Sequence, residues 1–332
     1  MGGQPTRRAG DDAAPAGPNL ARPGGTAIPP TPTRTRRRPA AAAAIALAVV
    51  LPACAAPGSG RAGGPLGQVF PDPALAACVA AAAGLPDAGA DAADADLAAI
   101  EQLHCPGGAS APEVIRSLDG VEELTSLSVL DVPRNQITDL APVASLARLG
   151  TLTLTANAVH DLSPLTGLEL FDVGLSQNPV SDLTPLAGTT TLNALGVAAA
   201  QVTDIGPLAG HDALRDLDLS GNAITDVSPL AGLPSLDTLR LARNGITDPA
   251  PLGTIPTLLI LDVFGNRIAD VAGLAGAPLL QELQLGANPV TDLTPLLAVG
   301  TLVNLGLDET DSTRLTGIDQ LRAAGISVNG LA

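Results

Sequence analysis

A unit of 22 residues recurs through much of the sequence and constrains the fold more than any other feature. Its clearest copy runs from Leu214 to Ser235, LRDLDLSGNAITDVSPLAGLPS, and the same pattern restarts at Leu236. A unit this short cannot bury a core alone, so neighbouring copies must stack and share one. The repeat therefore predicts a solenoid in which each copy packs only on the copies before and after it.

Asparagine marks one place in almost every repeat. The positions are Asn135, Asn157, Asn178, Asn222, Asn244, Asn266 and Asn288, with Ala200 and Thr310 at the two others. Leucines before each asparagine alternate, which predicts one short strand per repeat and a parallel sheet on the concave side. The asparagine side chain should turn inward and satisfy backbone groups of adjacent turns. We therefore expect a structural ladder with a weak rung at Ala200, which has no amide.

The pattern LxxLxLxxNxITDLxPLAxL, over roughly residues 100–328, resembles the 22-residue repeats of bacterial internalin-like leucine-rich repeat proteins. The resemblance implies an α/β repeat fold, a right-handed horseshoe-shaped solenoid with a parallel concave sheet and a cap at each end. We predict a disordered N-terminal extension over 1–33, a lipoprotein signal peptide over 34–54, a flexible linker over 55–68, a helical cap with the first rung over 69–118, the array over 119–310 and a C-terminal cap over 311–332.

The signal peptide is predicted from an arginine cluster at 34–38 followed by an apolar run at 39–50. This is the order of regions in a secretory signal, and the run is too short to span a bilayer. The sequence Leu51–Cys54 then resembles a bacterial lipobox, which implies that Cys54 is lipidated and becomes the mature N-terminus. The alternative is an ordinary cleaved signal with a chance cysteine. We predict an exported protein anchored by lipid to the extracytoplasmic face of the cell membrane, with Sec and Tat export both open.

Two further cysteines remain once Cys54 is assigned to the anchor. Cys78 lies on the apolar face of a helix expected to begin at Asp72-Pro73, and Cys105 points inward from the first predicted strand. Exported proteins meet oxidising conditions, so we predict a disulfide between Cys78 and Cys105. The alternative is two free thiols in an alanine-rich core.

The chain has a formal net charge of −16, although seven of its 17 basic residues precede Cys54. Such a surface repels phosphate backbones and anionic lipid headgroups. We therefore expect no nucleic-acid partner and a membrane contact through the lipid anchor only.

A column of aspartates invites a calcium interpretation. Its members are Asp139, Asp161, Asp182, Asp204, Asp226, Asp248, Asp270 and Asp292. One carboxylate per repeat does not bring together the several oxygens that calcium requires, whereas aspartate before such a turn can accept from backbone N–H groups. We predict structural capping and no metal. The histidines His104, His160 and His211 do not converge with a nucleophile, so we expect neither an enzyme nor a cofactor.

The outward strand positions of the later repeats form the candidate binding surface. Its members are Asp216, Asp218, Arg240, Arg243, Asp262, Phe264 and Glu282. Arginine and aromatic residues are the usual anchors of protein interfaces. We predict a monomer that recognises an unknown protein or glycan at the cell envelope through this face. The alternative is a structural, acidic envelope spacer without a specific ligand, in which Asp218, Arg240 and Asp262 only neutralise one another.

Overall fold

The computed structural model describes residues 64–108 and 114–331 of the 332-residue chain. The predicted N-terminal extension, the signal peptide and Cys54 lie outside the described residues, as does the linker up to residue 63.

Eleven strands form one parallel sheet in the order β3 to β13, and each strand pairs with its neighbour in sequence. The strands are β3 Gln102–His104, β4 Val129–Asp131, β5 Thr151–Thr153, β6 Asp172–Gly174, β7 Ala194–Gly196, β8 Asp216–Asp218, β9 Thr238–Arg240, β10 Ile260–Asp262, β11 Glu282–Gln284, β12 Asn304–Thr310 and β13 Ser327–Leu331. The register places the middle residues in line, so that Leu217 lies between Leu195 and Leu239. This is the leucine-rich repeat solenoid predicted from the period.

Short 3-10 helices form the arm opposite the sheet. They span Val121–Glu123, Ala141–Ser145, Ser163–Leu165, Thr184–Leu186, Gly206–Leu208, Ser228–Leu230, Ala250–Thr254, Ala272–Gly276, Thr294–Ala298 and Ser312–Arg314. Proline occupies the first turn of most of them, where its missing N–H leaves no intrahelical bond unmade. The α-helices are α1 Leu66–Val69, α2 Pro73–Ala82, α3 Asp94–Ala98 and α4 Ile318–Ala323. No helix in the described part of the chain is both long enough and apolar enough to cross a membrane.

The core is one continuous aliphatic cluster between the sheet and the 3-10 arm. Each repeat contributes the same inward positions, and in the clearest copy Leu214, Leu217 and Leu219 are all 0% exposed. Thin layers of leucine, valine and isoleucine fill this space without aromatic rings. Phe70 is the exception, and it covers the N-terminal end of the core as part of the cap.

Each ladder asparagine joins two repeats. The Nδ2 atom of Asn244 donates to the carbonyl of Leu219 in the preceding repeat and to that of Leu241 in its own, both at 3.0 Å. Its Oδ1 atom accepts from the Ile224 amide at 3.0 Å. The same three bonds recur at Asn135, Asn157, Asn178, Asn222, Asn266 and Asn288.

The ladder is interrupted at Ala200. The amide that an asparagine there would accept from belongs to Val180, which is 0% exposed. The Val180 amide donates no hydrogen bond to any of the described residues. The substitution of alanine for asparagine therefore leaves a buried donor unsatisfied, which is unfavourable.

The aspartate column caps the turns before the 3-10 helices. In all eight repeats, Oδ1 accepts from the backbone amide two residues later, at 2.7 to 2.9 Å. Hydrogen bonds from the amide and hydroxyl of Ser163 lower the pKa of Asp161, and those from Ser228 lower the pKa of Asp226. This is the turn-capping geometry expected from the sequence.

The flexible linker predicted for residues 55–68 extends too far into the chain. Gly64–Pro65, which is β1, pairs antiparallel with β2, Asp91–Ala92. Leu66 opens α1 and is 0% exposed against the core. The cap therefore includes residues 64–68. The glycine- and proline-rich composition of the segment did not indicate that Leu66 would pack against the core.

The N-terminal cap is held by one carboxylate and one covalent bond. Asp72 caps α2 by accepting from the Ala74 and Leu75 amides at 2.9 and 3.1 Å. A disulfide joins Cys78 on α2 to Cys105 just after β3, with a Cα–Cα distance of 6.0 Å. At the other end, α4 and β13 follow the last repeat, and β13 extends the sheet beside β12.

Candidate functional site

The concave face consists of the first and third residues of each strand, because the middle residue is buried. In β8, Asp216 and Asp218 flank the fully buried Leu217 and are half-buried themselves. The pairing register aligns these positions into columns across the sheet. One column runs from Asp172 through Ala194 to Asp216, and the next runs from Gly174 through Gly196 to Asp218.

Arg240 pairs with Asp216, not with the residues directly beside it. Its Nη1 donates to Oδ1 of Asp216 at 2.8 Å, although Asp218 and Asp262 are its register partners on the neighbouring strands. Both side chains remain about half exposed, at 41% and 50%. An exposed pair of this kind contributes little stability, and its main effect is to fix the position of the guanidinium.

Asp218 and Asp262 instead cap their own strand ends. Oδ1 of Asp218 accepts from the Ser220 amide, and Oδ1 of Asp262 accepts from the Phe264 amide, each at 3.0 Å. The prediction that Asp218, Arg240 and Asp262 neutralise one another is therefore wrong, because Arg240 pairs with Asp216 instead. The other oxygen of each carboxylate has no hydrogen bond to the described residues.

Arg243 follows β9 and Phe264 follows β10, and their side chains lie close to each other. The guanidinium carbon of Arg243 lies 6.0 Å from the centroid of the Phe264 ring, within cation–π range. The Arg243 amide also donates to the Phe264 carbonyl. Gly265 follows the ring with a φ of +68°, a conformation that favours glycine, and a Cβ there would lie 3.3 Å from Cγ of Arg243.

The concave face also holds a recess of about 320 Å³ that the sequence did not predict. It lies across β5 to β8, and its floor is formed where Gly174 and Gly196 present no side chain. Asp172, Asp216 and Asp218 line it. Desolvation raises the pKa of Asp172 above its ordinary value, and the negative charge of Asp216 raises it further.

The remaining predicted residues occupy separate places. Glu282 is exposed on β11, one strand beyond Asp262. His104 lies on β3 at the N-terminal end of the face, with Nδ1 3.3 Å from Oδ2 of Asp131. His211 is 1% exposed and lies on the 3-10 arm, with Nε2 3.1 Å from the Leu186 carbonyl.

The histidines, Cys105 and the acidic residues occupy separate parts of the described structure. The described histidines lie far apart in the fold, and Cys105 is engaged in the disulfide. Within residues 64–108 and 114–331, no group of three or more His, Cys, Asp and Glu residues is arranged to hold a metal ion. What the face offers is a fixed guanidinium, a stacked arginine and phenylalanine, and an acidic recess.

Family profiles match the later repeats. The profile described as Leucine Rich repeats (2 copies) matches residues 212–253, and one described as Leucine Rich repeat matches residues 254–275. A search among curated protein sequences finds no match.

Solved structures extend the similarity over most of the chain. Internalin C2 from Listeria monocytogenes is 32% identical, with a TM-score of 0.61, and the match covers 75% of this chain and 99% of that one. Internalin inlF from the same species is 24% identical, with a TM-score of 0.59, over 81% of this chain and 98% of that one.

A more distant structure shares the fold alone. The leucine-rich repeat ectodomain of a plant membrane receptor kinase from Arabidopsis thaliana, solved in complex with CASPARIAN STRIP INTEGRITY FACTOR 2, is 19% identical with a TM-score of 0.55. That match covers 70% of this chain and 31% of the plant protein. The leucine-rich repeat fold commonly mediates protein–protein recognition, and this complex is one instance.

Proposed function

The chain belongs to the internalin-like leucine-rich repeat proteins, and on that premise we propose that it is an exported, lipid-anchored protein that binds a protein partner through its concave face. The fold is shared with proteins that bind other proteins, but a fold does not transfer a ligand. The proposal therefore depends on the residues of this face.

One observation carries the binding proposal, namely the anchor cluster, defined as Asp216, Arg240, Arg243 and Phe264. The cluster spans the neighbouring strands β8 to β10 and combines an aromatic ring with two guanidinium groups. One guanidinium is fixed by Asp216 at 2.8 Å and the other lies over the ring at 6.0 Å. Preorganised arginine and aromatic side chains lose little conformational freedom on binding, which favours affinity.

Export and anchoring are supported by the sequence at 34–54, where a basic cluster, an apolar run and Cys54 follow one another. A disulfide between Cys78 and Cys105 suits an oxidising compartment outside the cytoplasm. Lipidation would make Cys54 the first mature residue, with the solenoid held outside the membrane. Metabolic labelling with a radioactive fatty acid tests this, since Cys54→Ala should lose the label and leave the membrane fraction.

Binding is tested by crosslinking on intact cells followed by capture. The variant combining Arg240→Ala with Phe264→Ala should lose the partner that the unaltered protein captures. Phe171→Ala with Arg267→Ala is a matched control, because both side chains are exposed and lie outside the concave columns. If charge reversal and truncation at the anchor cluster leave capture unchanged, the protein is better described as an acidic envelope spacer.

A further inference from the structure

The recess beside the anchor cluster is shaped by missing side chains. A Cβ on Gly196 would lie 3.3 Å from the Ser176 hydroxyl, and one on Gly174 would lie 3.4 Å from the Thr153 methyl group. Side chains at these two positions would therefore fill the floor. Neither glycine has a positive φ, so the backbone does not require glycine here. Because both positions are glycine, the concave face has an open recess above them.

The charge of the recess is negative on two sides. Asp172 lies on β6 and Asp216 and Asp218 lie on β8, with β7 between them. Arg240 neutralises Asp216 from outside the recess, which leaves Asp172 and Asp218 without a cationic partner among the described residues. Hydroxyls of Thr153 and Thr155 add neutral acceptors along one edge.

A compact metal ion does not fit this arrangement. Neighbouring strands in a sheet lie about 4.8 Å apart, so the backbones of β6 and β8, which carry the aspartates, are roughly 10 Å apart. Calcium needs six or more oxygens at about 2.4 Å around one point. A cation that reaches both sides must be longer and must carry several donors, as the planar guanidinium group of arginine does.

We propose that this recess receives an arginine side chain from a basic segment of the protein partner. The inference rests on the proposed function, because it names the chemistry of the partner that the concave face would bind. Charge complementarity selects this occupant, since a cation would pair with two carboxylates that have no cationic partner, whereas an acidic segment would be repelled. The anchor cluster then contacts the same partner from the adjoining strands.

The proton affinity of Asp172 supports the same inference. Burial raises the pKa of Asp172, and the negative charge of Asp216 raises it further. A bound guanidinium would stabilise the charged form of Asp172 and lower that pKa.

The test measures binding of a fluorescent, end-capped tetra-arginine peptide by anisotropy, with protein purified from cells expressing the full chain, in about 150 mM salt. Asp172→Asn with Asp218→Asn should weaken binding by about tenfold or more, which corresponds to about 1.4 kcal/mol. Gly196→Val, which fills the floor without changing the charge, should weaken it by a similar factor.

Asp119→Asn with Asp212→Asn is the control for net charge, because both residues are exposed and lie away from the concave face. This control should change the affinity by less than about twofold. Equal losses from the control and from the recess variant would show non-specific attraction and overturn the proposal. Unchanged binding by Gly196→Val, with thermal unfolding like that of the unaltered protein, would overturn it as well.

The two proposals fail separately. If tetra-arginine does not bind while cellular capture still depends on Arg240 and Phe264, the recess assignment is wrong and the proposed function stands. If capture is also independent of the anchor cluster, both are wrong.

Discussion

The carboxylate of Asp72 accepts a hydrogen bond from the Arg116 amide at 2.7 Å, across 44 residues of sequence. Its same oxygen accepts from Ser117 at 3.2 Å, while the other oxygen caps α2. One side chain therefore ties the cap helix to the segment that enters the first full repeat. A solenoid depends on its caps to cover the terminal layers of the core.

Asp72→Ala should lower the free energy of unfolding by about 2 kcal/mol, because it removes a helix cap and leaves backbone donors of the cap unsatisfied. Urea unfolding measures this effect. Asp87→Ala is the matched control, since Asp87 is exposed and its described bond is a local one to the Gly89 amide. Equal urea midpoints for the two variants would contradict the assigned role of Asp72.

The same carboxylate should make stability depend on acid. Burial alone raises the pKa of Asp72, but backbone donors led by Arg116 lower it below the ordinary value of 3.8 overall. A lowered folded-state pKa means that the unfolded chain binds the proton more tightly. The contribution of Asp72 is therefore complete above the ordinary value and is lost as pH falls through the folded-state pKa. Asp72→Asn should flatten the acid side of the stability profile, and parallel profiles would exclude this linkage.

Ala200→Asn should stabilise the protein by about 1 kcal/mol, because the new Oδ1 would accept from the buried Val180 amide. The expected increase in melting temperature is about 2 °C. Ala200→Leu is a control of similar shape without polar atoms, and it should give no such increase. A melting temperature that rises equally for both variants would point to filled space instead of a restored ladder.

Removing the disulfide should destabilise the protein by about 3.5 kcal/mol, chiefly by releasing the unfolded chain. The estimate follows from the sequence separation of 27 between Cys78 and Cys105. Chemical unfolding of the Cys78→Ala, Cys105→Ala variant measures it. Mass spectrometry of unreduced peptides checks the pairing directly, and two separately alkylated cysteines would rule it out.

Gly221→Ala should destabilise the protein by about 1 kcal/mol through its backbone alone. Gly221 has a φ of +69°, and a Cβ there would make only ordinary contacts, the nearest at 3.5 Å to Ala199. Gly188→Ala is the control, because Gly188 has no positive φ and has open space around its Cα. Thermal unfolding should separate the two, and identical melting temperatures would argue against strain at position 221.

The repeat fold was predictable because the residue types themselves reveal its period and its inward-facing positions. Leu217 and Asn222 recur at fixed spacing, and stacking is the only way for such short units to bury their leucines. The ladder and the turn-capping role of Asp226 followed for the same reason. Each is a local geometry that the repeat reproduces many times.

The site was less predictable because it depends on a diagonal contact between strands and on positions where glycine has no side chain. The diagonal pairing of Arg240 with Asp216 depends on the direction of a long side chain, which register alone does not give. In the sequence, only small residues such as Gly196 indicate the recess. Asp172 lines the recess because it lies in the same column of the sheet as Asp216.

The position of Ala200 has a consequence for cooperativity. In a repeat array, coupling acts between nearest neighbours, so the weakest junction decides where the chain divides into separately opening blocks. Ala200 weakens the junction between the repeats of β6 and β7, and these two strands carry the glycine floor of the recess. We expect amide hydrogen exchange to be fastest at this junction, which would let the curvature of the face adjust where a partner side chain enters.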